Sequence, residues 1–276
     1  MAERLARKPK DEETLDDYLM YLRHLAAYTY AMLRFDGARA IDLGCGTGYG
    51  TKLIGEKGKV VGVDQAMHAL PAACDQGGVA FCAADVRELP FRNSAFDLAT
   101  SFQVIEHIWD VHLYLYEAWR VLSDRGTLVI STPNRHLRLL PLERPHNPFH
   151  VREYGPAGLR SLLRGRFRHV EILGLHAVSE IETRERDRLH KGRRWYYRHL
   201  LLTALGRLPL GERGVAVARR TKRAVVPGTG RQEQAGAFAE TQGIEQAFEN
   251  VYSPEDFWVD NRNLKNALDL IGVCRK

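Results

Sequence analysis

Residues Asp42-Leu-Gly44-Cys-Gly46-Thr-Gly48-Tyr-Gly50 place glycines at every second position behind an acid. Lacking a Cβ, glycine lets the backbone turn sharply and approach a ligand closely. The spacing is G-x-G-x-G, without the third, helix-packing glycine of the G-x-G-x-x-G turn that holds a dinucleotide pyrophosphate. Asp42 would repel a pyrophosphate, yet could fix the ammonium face of an amino-acid ligand. Asp64 ends the apolar run KVVGVD, where a carboxylate can accept hydrogen bonds from two vicinal hydroxyls. Asp85-Val86 ends the next run; its carboxylate could accept from an exocyclic ring amine while the valine packs on the ring. Each acid alone also serves as a helix cap or turn former. Three at the ends of successive strands, behind a glycine turn, exceed what capping explains.

Two histidines could take a proton from an acceptor, since an unperturbed imidazole titrates near pH 6.5. His107 lies in Gln103-Val-Ile-Glu106-His107, and His150 in the loop PNRHLRLLPLERPHNPFHV, with His146 a third choice. A structural role for His107 is the alternative. Glu106, His107, His146 and His150 could converge on a cation, but they lack a fixed ligand spacing, and no metal is expected.

Short β-branched runs at 38–43, 59–64, 79–85, 96–102 and 126–132 alternate with helical patterns near 49–57, 66–75 and 110–122. Such alternation predicts a doubly wound, mostly parallel sheet with its ligand beyond the carboxyl ends of the strands. A helix is expected at 154–164, a strand at 168–176 and a last strand within 267–274, giving seven strands. Asp11 to Phe35 reads as a helix, with acids in its first turn and apolar residues three and four apart. The organisation expected is a helical cover (1–37), a Rossmann-like core (38–178), an insertion (179–263) and a final core strand (264–276). Residues 224–243 read as a mobile loop.

The 276 residues carry a formal charge of +6, but Glu182 to Arg223 alone hold eleven Arg and two Lys against four acids, a net of +9. Basic character therefore belongs to one segment, in which 184–207 combines arginines with Trp195, Tyr196 and Tyr197. It could cover an anionic acceptor, lie on a membrane surface or contact phosphates; an amphipathic helix with solvated arginines is the plain alternative. No apolar run approaches the roughly 20 residues of a membrane span. The start Met1-Ala-Glu-Arg4 lacks the apolar stretch of a secretory leader, so a cytoplasmic location is expected. Cys45, Cys74, Cys82 and Cys274 form no C-x-x-C pair and read as reduced thiols.

DLGCGTGYGT, VVGVD, DVRELPFRNSAFDLATSFQVIEHIWD, YEAWRVLSDRGTLVISTPN and NPFHVREYGPAGLRSLL together resemble the class I S-adenosylmethionine-dependent methyltransferases, especially the ubiquinone-biosynthesis type. The likeness covers about residues 20–176. It implies an enzyme that uses S-adenosylmethionine (AdoMet) and releases S-adenosylhomocysteine. Asp42, Gly44, Gly46 and Gly48 would line the methionine part, Asp64 with Gln65 the ribose, and Asp85 with Val86 the adenine. Gln103 would lie beside them, with His24 and Tyr28 in the helix that covers the cofactor. The expected acceptor is a hydroxyl or amine of a small molecule such as a sugar or natural product. Ser101-Phe-Gln-Val104 stands where enzymes methylating nucleobase or glutamine amino groups carry Asn-Pro-Pro-Tyr, which disfavours nucleic acid. Methylation of RNA or protein, and a non-catalytic AdoMet-binding partner subunit, remain as alternatives.

Overall fold

The computed structural model describes residues 15–35, 38–66, 78–205 and 252–276. The expected helix near 66–75, Cys74 and the loop at 224–243 lie wholly or mostly outside those residues. Helix α1 (Leu15–Met32) starts with Asp16 and Asp17, whose charge suits a helix N-terminus. It buries Leu19, Leu22, Ala26 and Tyr28 along one face. There follow β1 (Arg39–Leu43), α2 (Tyr49–Gly55), β2 (Lys59–Asp64), β3 (Val79–Ala83), β4 (Phe96–Phe102), α3 (Val111–Val121) and β5 (Leu122–Pro133). A one-turn α4 (Arg135–Arg138) precedes α5 (Pro156–Arg164), β6 (His169–Ala177), α6 (Ser179–Leu205), β7 (Phe257–Asp260) and β8 (Asp269–Arg275).

One sheet orders the strands β3-β2-β1-β4-β5-β8-β6-β7. The pairs from β3 to β5 are parallel, while β8 runs antiparallel to both β5 and β6. The sheet therefore has eight strands, not the seven expected. The additional one, β7, pairs antiparallel with β6 at the edge and comes from the stretch assigned to the insertion. Only four residues long, with three apolar residues before a single acid, it leaves little periodicity to read.

Alternation along the strands sends side chains to two cores. Ile41, Leu43 and Ala99 join Tyr114 and Leu115 of α3 on one face. Ala40, Leu98 and Phe102 join Leu22, Ala26 and Tyr28 of α1 on the other. The chain runs outward from β1 to β3 and resumes at β4 on the opposite side of β1, so a topological switch falls between β1 and β4. In open α/β sheets that crevice receives the ligand.

The chain forms two compact units, residues 1–182 with 236–276, and residues 183–235. Of the second, the described part is the continuation of α6, which carries an Arg188–Glu185 pair and leaves Trp195, Tyr197 and Leu201 exposed. Among the described residues no helix is long and apolar enough to cross a membrane.

Candidate functional site

The glycine turn leaves β1 at the switch point. Gly44, Gly46 and Gly48 have φ of 75°, 55° and 80°, the left-handed region that side chains strain to adopt. Their surroundings differ. A Cβ on Gly44 would overlap Val104 Cγ2, two residues past the end of β4, and one on Gly48 would come 2.6 Å from the Phe81 ring. At Gly46 an added Cβ meets nothing within 4 Å. Packing thus demands the outer two glycines, while the middle one borders open space beside the β1/β4 crevice.

Asp64 closes β2 next to that turn. Its Oδ2 accepts from the Gly46 N–H at 3.0 Å and its Oδ1 from the Ala66 N–H at 3.0 Å. A carboxylate offers about four lone-pair sites, which suits a position that holds a turn beside a ligand crevice. The Asp85 carboxyl, beyond the neighbouring strand end, is held below the usual range chiefly by its hydrogen bonds with Arg87. Arg87 grips Asp85 with its Nε and Nη2, the latter at 2.6 Å. The structure thus commits Asp85 first to an arginine two residues away, which sequence reading did not foresee. Val86 is buried and packs into the α3-side core.

Two further expectations need correction. Asp42 is wholly buried rather than presented to a ligand. Its oxygens accept from Thr51 Oγ1 at 2.7 Å, Thr100 Oγ1 at 2.8 Å and Tyr28 Oη at 3.1 Å. Burial raises its carboxyl above the ordinary range, against those hydroxyl bonds. Asp42 therefore anchors the turn from below. Tyr28 is buried too, packed where Gly50 has no side chain and edge-on to Phe102 at 4.6 Å. It ties α1 to the turn instead of lining the crevice.

His24, four residues earlier in α1, is partly exposed, and its Nδ1 lies 2.8 Å from Tyr49 Oη at the start of α2. Burial lowers its pKa to about 4, with Asp269 opposing and Arg23 reinforcing. The value falls below the ordinary 6.5 of a free imidazole, so between pH 6.5 and 4 the unfolded chain binds more protons. The destabilisation is absent above that window and complete below it. Because the ring is partly exposed, wild type should lose about 1–2 kcal/mol more than His24→Gln between pH 7 and pH 5 in urea titrations. Equal losses would show that the ring protonates freely in the folded chain.

On the opposite side of the crevice, Gln103 follows β4 with φ of 57°, a strained conformation for a side-chain-bearing residue. Its Nε2 donates to Ser131 Oγ at 3.3 Å. A one-turn helix, Ile105–His107, then places Glu106 and His107. Glu106 is fully buried. Its carbonyl accepts from the Val151 and Arg152 N–H groups, which pins the 146–152 loop alongside. His150 thereby meets His107 edge to face, ring centroids 4.8 Å apart. His107 Nδ1 lies 3.0 Å from the Phe149 carbonyl oxygen, and His150 Nδ1 2.8 Å from Glu153 Oε1. Burial alone would raise the Glu153 carboxyl; the His150 hydrogen bond and the neighbouring Arg138 charge override it and leave it low. His146 pairs instead with Glu143 at 2.8 Å. Sequence reading did not single out Glu153, which partners His150, although its position three residues after His150 was the available signal.

Residues 41–130, which span β1 to β5 and the whole crevice, match the methyltransferase domain family. A probable S-adenosylmethionine-dependent methyltransferase of Mycolicibacterium smegmatis is 36% identical over 154 residues, 52% of this chain and 56% of that protein. Over these residues the chain is similar to the class I AdoMet-dependent methyltransferases. A ubiquinone biosynthesis O-methyltransferase of Azorhizobium caulinodans is 29% identical over 127 residues, 44% of this chain and 50% of that one. The chain thus spans about half the length of the curated relatives it matches. The crystal structure of a SAM-dependent methyltransferase from Archaeoglobus fulgidus shares the fold, with TM-score 0.50 and 16% identity over 94% of each chain.

The residues present fit the cofactor that this family uses. Open space at Gly46 gives a cradle for an amino-acid moiety, and the Asp64 carboxylate borders it, the group type that accepts from a ribose diol.

Proposed function

We propose that the protein transfers a methyl group from AdoMet to a hydroxyl or amine of a small molecule, with a hydroxyl favoured. The open cradle at Gly46, bordered by Asp64 at the β1/β4 switch point, carries this reading. A relative named for ubiquinone O-methylation supports an oxygen acceptor. Residues Gly44, Gly46, Gly48, Asp64 and Gln65 would hold the cofactor, with His24 and Gln103 at its margins. Asp42 and Tyr28 hold the turn. Asp85 reaches an adenine amine only with lone pairs that Arg87 leaves. When bound, AdoMet supplies a methyl carbon already activated by a sulfonium leaving group. The chain's remaining work is to align the acceptor and receive its proton.

For that proton His150 is the better placed of the two expected histidines. A carboxylate accepts only, so Glu153 fixes the proton of His150 on Nδ1 and leaves a lone pair on Nε2. The buried Glu153 carboxylate stabilises the imidazolium that forms, the arrangement of a base held by an acid.

Calorimetric titration with S-adenosylhomocysteine tests the reading. Wild type should bind at micromolar concentration, and Asp64→Ala should weaken binding by about 1.5–3 kcal/mol through lost charged hydrogen bonds. Equal affinity in the variant would take Asp64 out of the site, and wild-type binding of NADH alone would overturn the proposal.

A further inference from the structure

The mechanism above uses one imidazole lone pair of a cluster that offers more. One candidate ligand atom from each of Glu106, His107 and His150 lies within 4.8 Å of the other two. Glu106 is fully buried; Thr132 donates to its Oε2 at 3.0 Å, while Oε1 finds no hydrogen-bond partner among the described residues. A buried polar oxygen without a partner costs about 1–3 kcal/mol, and folds seldom keep one without a use.

The histidines are prepared in the same sense. His107 Nδ1 faces a carbonyl oxygen and His150 Nδ1 faces a carboxylate, both of which can only accept. Each ring therefore carries its proton on Nδ1 and presents a lone pair at Nε2. Histidines that ligate metals show this pattern, the second nitrogen donating to a carboxylate or carbonyl that fixes tautomer and orientation. The loop bearing His150 is held to the Glu106 carbonyl by two backbone hydrogen bonds, so both elements approach as one unit.

We propose that Glu106, His107 and His150 form a binding site for one divalent first-row transition cation at the acceptor side of the crevice. Two imidazoles and a carboxylate suit zinc, manganese, cobalt or iron(II) better than magnesium or calcium, which prefer oxygen-only shells. Three protein ligands leave positions open for water or an acceptor oxygen, as catalytic sites require. Around an ion with bonds of about 2.1 Å, neighbouring ligand atoms stand about 3.0–3.4 Å apart. Side-chain rotation must therefore close the cluster somewhat.

The site deepens the methyl-transfer reading and rests on it for its chemistry alone. With an ion seated, the imidazole lone pairs are committed as ligands. An acceptor hydroxyl bound to the cation would lose its proton to water because coordination lowers its pKa, and its oxygen would form the new bond to the methyl carbon as the carbon–sulfur bond breaks and S-adenosylhomocysteine leaves.

The test uses the full chain after chelator treatment, titrated with Co²⁺ and followed by its visible absorption and by calorimetry, with S-adenosylhomocysteine titrated separately. One Co²⁺ per chain is expected. His150→Gln and His107→Gln should each weaken Co²⁺ at least tenfold while retaining S-adenosylhomocysteine affinity, the latter serving as the check on folding. Absence of Co²⁺ binding at millimolar concentration, or equal affinity in both variants, would overturn the site and leave the methyl-transfer reading standing. Co²⁺ binding lost in both variants, without any S-adenosylhomocysteine binding to wild type, would support the site and sink methyl transfer instead.

Discussion

Arg23→Met is expected to cost the fold about 3–5 kcal/mol, the largest loss from any single side chain considered. Arg23 on α1 reaches Asp269, the first residue of β8, with both bonds of a bidentate pair at 2.6 Å. The two side chains are only 10% and 3% exposed, so removing the cation strands a carboxylate in a site without water. Two charges buried together nearly break even against a well-packed apolar pair, whereas one left alone is heavily penalised. The double variant Arg23→Met/Asp269→Leu should accordingly recover most of the loss, and urea midpoints of the three proteins measure it. A single-variant loss below about 1 kcal/mol would mean that water reaches Asp269. Because α1 also brings His24 to Tyr49 and Tyr28 to Asp42, the single variant should weaken S-adenosylhomocysteine as well.

That pair joins residues 246 positions apart, which marks the boundary of what a lone sequence discloses. The order of strands and helices from 38 to 177 was legible because it is written in local periods and in turn residues. So was the position of the glycine turn. The direction of Asp42 was not, although the alternation of β1 held a clue: Ile41 and Leu43 face the α3 side, so Asp42 shares the opposite face with Ala40. That face is covered by α1, and only the tertiary packing of Tyr28 against Gly50 shows how Asp42 comes to be buried. Spacing named the acid; packing decided what it does.

A similar limit applied to the histidines. Sequence proposed His107, His146 and His150 as separate candidates, because nothing local sets the distance between residues 107 and 150. The Glu106 carbonyl brings two of them together, and Glu143 claims the third. Once paired, His107 and His150 share their tautomer and flank a buried carboxylate, so the chemistry available belongs to the group and not to either ring.

Gly46→Ala should weaken S-adenosylhomocysteine at least 100-fold, about 2.7 kcal/mol or more, while the fold loses only about 1–2 kcal/mol. The two effects separate because of what surrounds the position. A φ of 55° places an alanine in the left-handed region, at a cost of about 1–2 kcal/mol. Its methyl group meets no protein atom within 4 Å, so no core contact is disturbed and the added volume enters the space assigned to the ligand. The turn would also tend to relax away from positive φ, which pulls the Gly46 N–H from Asp64 and disorders the proposed ribose acceptor. Gly44→Ala is the contrasting substitution: its Cβ would overlap Val104, so stability and affinity should fall together. Calorimetry and urea denaturation on both variants separate the cases. Wild-type affinity in Gly46→Ala would move the ligand away from the turn and, with it, the cofactor site proposed for this chain.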